Sequence, residues 1–193
     1  MKNKTLKITA LLFIGVAFGI NAQSFENGQK DVNLGIGLGN TYASSSSASG
    51  STTSTPPISG SLEFGVTDAI SVGGYVAYTG TTWTYAYGSY TDKRTWSYYI
   101  VGVRGAFHFA QFIKNDKVDL YAGLMLGDVI AKDTYTTTNP TPGYNSTTST
   151  QSSGGFIFSP SVGCRYRFTD NVGIFGELGY GIATFNIGVN FKF

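Results

Sequence analysis

From about residue 30 to the last residue, apolar and polar side chains alternate with a period of two in eight separate segments. The clearest is the last, Phe185 to Phe193, FNIGVNFKF, where Phe185, Ile187, Val189, Phe191 and Phe193 oppose Asn186, Gly188, Asn190 and Lys192. Before it, the apolar sets are Val32 to Leu38, Ile58 to Val66, Ile70 to Tyr78, Tyr99 to Phe109, Val118 to Leu126, Phe156 to Phe168 and Val172 to Tyr180, each on one parity of its segment. The opposite parities carry Gly, Ser, Asn and the charged Glu63, Arg104, Asp119, Arg165, Arg167 and Glu177. A soluble strand hides its apolar face in a core, yet each segment has a single apolar face and no further segment remains to cover the last. The pattern predicts an all-β chain: an eight-stranded antiparallel up-and-down transmembrane β-barrel, apolar outside and polar inside.

The connections alternate in length. Thr67 to Ala69, Gln111 to Lys117 and Thr169 to Asn171 read as tight turns in which Asp and Asn side chains bond the backbone. Residues 43–57, 80–94 and 131–154 read as long polar loops, of which 43–57 and 133–153 are low-complexity, rich in Ser and Thr, and expected to be mobile. Trp83, Tyr85, Tyr87, Tyr90 and Trp96 crowd the second loop, and several of them are expected in an aromatic belt at the outer membrane interface; Phe107, Phe109, Tyr166, Phe168, Phe191 and Phe193 would form the inner belt. FGVTDAISVGGY (64–75) and YRFTDNVGIFGELGY (166–180) share a pattern that predicts one hairpin design used twice.

The first residues differ in kind. Lys2, Lys4 and Lys7 precede an apolar run, Ile8 to Ile20, and then Asn21-Ala22-Gln23. The run is short for ~30 Å of hydrocarbon, so residues 1–22 are expected to be a secretory signal peptide and 23–193 one barrel domain. Removing those three lysines from the 13 Lys and Arg leaves ten against 11 Asp and Glu. That near-neutral balance, without any basic run, argues against a nucleic-acid partner. A lone Cys164, on the apolar parity, and a lone His108 give no basis for a disulfide, a metal centre or another cofactor.

An eight-stranded barrel is just wide enough inside for side chains. Inward charges must then pair, because an unpaired buried ion is very costly. Counted from the tight turns, Glu63, Arg104, Arg165 and Glu177 fall at similar height and sum to zero, which predicts an interior charge network or a gate; Asp119, Arg167 and Lys192 are expected lower, with His108. No Ser or Asp companion stands at an evident spacing from His108, so the reading is non-enzymatic.

Signal peptide, eight alternating strands and a terminal aromatic together resemble the small bacterial outer-membrane β-barrel family that includes OmpA transmembrane domains and OmpX-like proteins. The resemblance implies an integral outer-membrane protein, expected to be a monomer, with both termini periplasmic and the long loops extracellular. It also implies contact with outer-membrane lipid including lipopolysaccharide, and a C-terminal assembly signal at Phe193 recognised by the barrel-assembly machinery. Two roles follow as expectations: an envelope-structural or loop-display protein, or a narrow porin-like channel for small solutes.

Overall fold

The computed structural model describes residues 24–42, 50–113, 115–139 and 145–193. The expected signal peptide lies outside the described residues. Eight strands form the molecule: β1 (Lys30–Asn40), β2 (Ser51–Gly65), β3 (Ile70–Tyr87), β4 (Tyr90–His108), β5 (Val118–Thr138), β6 (Thr147–Arg167), β7 (Val172–Gly179) and β8 (Ala183–Lys192). Each pairs antiparallel with its sequence neighbour, and β8 closes on β1 from Asp31↔Lys192 to Asn40↔Ala183. Closure leaves the barrel wall without an unpaired edge.

The parity read from sequence is the parity of the wall. Leu34, Ile36, Leu62, Val76, Val103, Val162 and Ile187 stand exposed on the outside, whereas Asp31, Asn33, Glu63, Arg104, Asp119, Arg165 and Asn190 are buried inside. At the tight-turn end the outer wall carries Phe107, Phe109, Phe112, Tyr166, Phe168 and Phe193.

The three short turns are built on Thr and Asn. Thr67 Oγ1 accepts from the amides of Ala69 (3.2 Å) and Ile70 (3.0 Å), and Thr169 Oγ1 accepts from those of Asn171 (3.4 Å) and Val172 (3.1 Å). The repeated motif is therefore one hairpin solution used twice, with the same threonine bracing the turn in both copies. Asn115 Oδ1 does the same for the amide of Lys117 at 3.0 Å.

The long polar loops are mostly strand. β3 and β4 stay paired up to Tyr87↔Tyr90 and turn at Gly88 and Ser89, with Gly88 at φ +56°; β5 and β6 stay paired to Thr137↔Thr147. Thr favours a pleated surface, and its hydroxyls meet across the ladder: Thr82···Thr95 (3.2 Å), Thr134···Thr150 (3.3 Å) and Thr136···Thr148 (3.2 Å). Low hydrophobicity was thus a poor guide where backbone pairing is complete. β2 begins at Ser51 and passes Pro56 and Pro57 with a register shift between Thr55 and Ile58, a position that suits residues with no amide to donate.

The rim is consequently lopsided. β1 ends at Asn40, β7 at Gly179 and β8 begins at Ala183, while β2 to β6 continue beyond them as a five-stranded projecting sheet. Because β3 to β6 keep a continuous register, inward parity carries into this sheet. Trp83, Tyr85 and Trp96 therefore line its inner face and are not in a belt on the outer wall, contrary to the sequence expectation. Tyr78 and Tyr99, their rings tilted by 45° with centroids 5.0 Å apart, stand there with Phe156, Phe158 and Tyr180.

Candidate functional site

The barrel interior is filled in three tiers. At the tight-turn end, Ser24 to Gln29 folds across the mouth: Gly28 N donates to Gly65 O (2.9 Å), Gly65 N to Gln29 O (2.8 Å), and Asn27 N to Asp68 Oδ1 (3.0 Å). This drives Phe25, fully buried, onto the His108 ring with centroids 3.6 Å apart and planes within 2°.

Above Phe25 lies a polar tier to which all eight strands contribute. Arg165, from β6, is its hub: Nη2 donates to Glu63 Oε2 at 3.0 Å, and Nη1 reaches Asp119 Oδ2 at 3.2 Å and Asp31 Oδ2 at 3.5 Å. Arg104, from β4, forks onto both oxygens of Glu177 on β7; its Nε lies 3.2 Å from Glu63 Oε1, an ion pair off the line of a hydrogen bond. Tyr121, from β5, sits between the two guanidiniums, 4.5 Å from Arg165 and 5.7 Å from Arg104, and its hydroxyl donates to Glu177 at 3.1 Å. A Cβ at Gly163, opposite on β6, would overlap that ring, so the glycine makes the tier possible.

Arg167 Nη2 reaches Asp31 Oδ1 at 3.2 Å, and the same oxygen accepts from Asn190 Nδ2 at 3.0 Å, which ties β8 to β1. Asn33 and Ser61 each donate to Glu63 Oε1 at 3.0 Å, and Ser71 donates to Glu63 Oε2 at 3.1 Å. His108 does have companions: Nδ1 lies 3.0 Å from Asp119 and Nε2 lies 3.0 Å from Ser71. Ser71 is 37 residues away and Asp119 is 11, on neighbouring strands, which is why spacing hid them. Four carboxylates (Asp31, Glu63, Asp119 and Glu177) face three guanidiniums and this imidazole.

Glu63, Arg104, Arg165 and Glu177 thus lie in one network. Asp119 and Arg167 join it directly, Asp119 through Arg165 and Arg167 through Asp31. Lys192 does not: its amine meets Glu26 at the rim, 3.0 Å away. Asp31, Tyr121, Ser71 and Asn190 were not singled out from sequence as members. Asp31 is one step before the first counted strand position and on the parity of Asn33, so extending that strand by one pair would have found it.

The third tier is apolar. Ala77, Ile100, Met125, Ile157, Ile182 and Ala183 form a buried cluster, with Tyr42, Tyr75 and Val129 packed on it. Between it and the charges remain cavities of about 10 Å³ around Arg104 and Asn186, each with room for about one water.

Beyond the rim, Arg94 and Asp133 form a bidentate pair on the inner face of the projecting sheet, with Arg94 Nε 3.0 Å and Nη2 2.5 Å from the two carboxylate oxygens. Hydrogen bonding from Arg94 holds the Asp133 carboxyl below the usual carboxylate range, so the pair persists in mild acid and is lost as pH falls through that lowered value.

No protein-family model matches the chain, and no curated protein matches it in sequence. Solved structures do resemble it. Ail, the attachment invasion locus protein of Yersinia pestis, solved in complex with the heparin analogue sucrose octasulfate, aligns over 86% of this chain and 99% of its own at a TM-score of 0.51 and 13% identity. The N-terminal β-barrel domain of Pseudomonas aeruginosa OprF aligns over 87% and 98% (TM-score 0.44, 15% identity), and outer-membrane protein OprG of the same species over 90% and 99% (0.42, 10%). The fold is that of the small eight-stranded outer-membrane β-barrels.

Proposed function

We propose that this chain is a non-enzymatic integral outer-membrane protein, a filled barrel that serves as a pedestal for the projecting sheet. The observation that carries this reading is the asymmetry: β2 to β6 outrun the other strands as paired sheet, above an interior closed by charge pairs and an apolar tier. In this arrangement both termini and the tight turns are periplasmic, the long hairpins extracellular, and outer-membrane lipid including lipopolysaccharide surrounds a monomeric wall. The likeness to Ail, a protein solved with a heparin analogue, supports an outward-facing role at the level of fold.

The channel reading is the weaker one. An ion crossing the barrel would need to break Arg–Glu pairs and then pass Ile100, Met125 and Ile157, apolar side chains that cannot replace its water. Hydrolytic chemistry at Ser71, His108 and Asp119 is opposed by their complete burial. Refolded protein in a planar bilayer is expected to be electrically silent, and Glu63→Gln to stay silent. Discrete openings altered by that substitution would replace the pedestal with a gated pore. An epitope inserted between Gly88 and Ser89, detected on intact cells, checks the orientation; detection only after lysis would invert it.

Phe193 is proposed as the assembly signal. Its backbone pairs with Lys30 (Phe193 N to Lys30 O, 2.9 Å), but its side chain is 73% exposed and adds little internal packing. Phe193→Ala is therefore expected to change the stability of refolded protein by no more than about 0.5 kcal/mol. In cells it should lower the amount of assembled barrel severalfold. Equal assembly of the two proteins would remove the signal from this residue.

A further inference from the structure

We infer that the inner face of the projecting sheet is a binding platform for a neutral, hexose-based oligosaccharide, an inference that rests on that sheet being displayed as proposed above. Aromatic side chains share this face on adjoining strands, among them Trp83 and Tyr85 on β3, Trp96 on β4 and Tyr135 on β5. The rings of Trp83 and Tyr85 stack in parallel, within 1° at 5.9 Å, and Tyr135 is 41% exposed. A tyrosine ring such as that of Tyr135 offers an apolar face and a wet polar tip, as the C–H faces and hydroxyls of a pyranose require.

The polar groups between the rings fit the same ligand. Arg94 stands 5.0 Å over Trp96 and gives Nε and Nη2 to Asp133, which leaves Nη1 for another acceptor and fixes donor and acceptor side by side. Adjacent sugar hydroxyls match that pair, each donating and accepting. Charge argues against a sulfated or phosphorylated chain: Asp92 and Asp133 outweigh Arg94 on this face, while Lys93 and Lys132 belong to the opposite face by strand alternation. An extended peptide would instead seek the edge of β6 beyond its pairing with β7, which meets no further strand among the described residues, and not the face of the sheet.

The sugar could come from lipopolysaccharide of the same membrane or from the surface of another cell, and two arms separate these sources. The chain has two tryptophans, Trp83 and Trp96, so selectively excited tryptophan emission reports this face. In the first arm, refolded protein in detergent is titrated with maltohexaose, cellohexaose and chitohexaose, and with a heparin dodecasaccharide for contrast. At least one neutral sugar is expected to shift the emission saturably, with a Kd of about 1 mM or tighter. Tyr135→Ala and Arg94→Gln, which keep both tryptophans, should each weaken it about tenfold, while Lys132→Gln leaves it unchanged. In the second arm, protein in vesicles with complete lipopolysaccharide is compared with vesicles whose lipopolysaccharide lacks core sugars. A shift already present in the first and absent from the second assigns the sugar to the protein's own membrane, and equal spectra with retained response to free sugar assign it to another surface.

The platform is overturned if none of the three neutral sugars shifts the emission, if heparin binds more tightly than all of them, or if Arg94→Gln binds like the parent. Folding of each variant is confirmed by heat-modifiable gel mobility. The epitope between Gly88 and Ser89 tests display independently. Accessible epitope without sugar response would reject the platform and keep the pedestal.

Discussion

Replacing Arg165 with methionine is expected to destabilise the refolded barrel by about 3–5 kcal/mol, because it leaves buried carboxylates without their shared cation. Arg165 is completely buried and touches Glu63, Asp119 and Asp31, from three other strands. Methionine fills much of the volume, so the loss is electrostatic more than steric. Glu63 retains Asn33, Ser61, Ser71 and the oblique approach of Arg104, which limits the damage but does not restore the charge balance. The measurement is the urea midpoint of folding in lipid vesicles, read by gel mobility. Adding Glu63→Gln to Arg165→Met should recover part of the loss by removing one stranded charge. Lys192→Met serves as contrast: its rim pair with a largely exposed Glu26 is worth about 0–1 kcal/mol. A parent-like midpoint for Arg165→Met would mean that these pairs do not hold the barrel.

Gly163→Val is expected to cost about 1–3 kcal/mol or to fold into a loosened barrel, although it exchanges a flexible residue for a good strand former. The added side chain would occupy the space of the Tyr121 ring. Moving that ring breaks its bond to Glu177 and withdraws its face from Arg165, so a steric change becomes an electrostatic one. Gly155→Val, on the same strand but in the projecting sheet with nothing within 4 Å of the new Cβ, should stay within about 0.5 kcal/mol of the parent. Equal midpoints for the two variants would refute the view that glycine at 163 is selected for space.

Much of this was legible in the chain because a period of two ties identity to side: in Asn190, Val189 and Gly188, residue type already states which way each points. The same rule located Glu63, Arg104, Arg165 and Glu177 on the inner wall. It misled where chemistry and parity diverge. Ile100, Met125 and Ile157 sit on the polar parity but are apolar, and each is the middle of an apolar triplet, Tyr99-Ile100-Val101, Leu124-Met125-Leu126 and Phe156-Ile157-Phe158. Those breaks in alternation are the signal of the apolar tier. Composition points to Trp83, Tyr85 and Trp96 as interface residues, whereas parity followed past the barrel rim turns them inward. Composition likewise suggested loops where Thr and Ser form paired strands.

By itself the sequence determined the number of strands, their order, the apolar outer face and the set of charges that must be buried, since all of these depend on local alternation and on chain order. Only the tertiary structure decided which charges meet, that His108 lies between Ser71 and Asp119, that Phe25 closes one mouth, and that five strands rise above the other three. Those features depend on cross-strand register and on barrel closure. They place residues such as Arg165 and Asp31, 134 positions apart, within 3.5 Å of each other. No local pattern encodes a distance set by the stagger of a closed sheet.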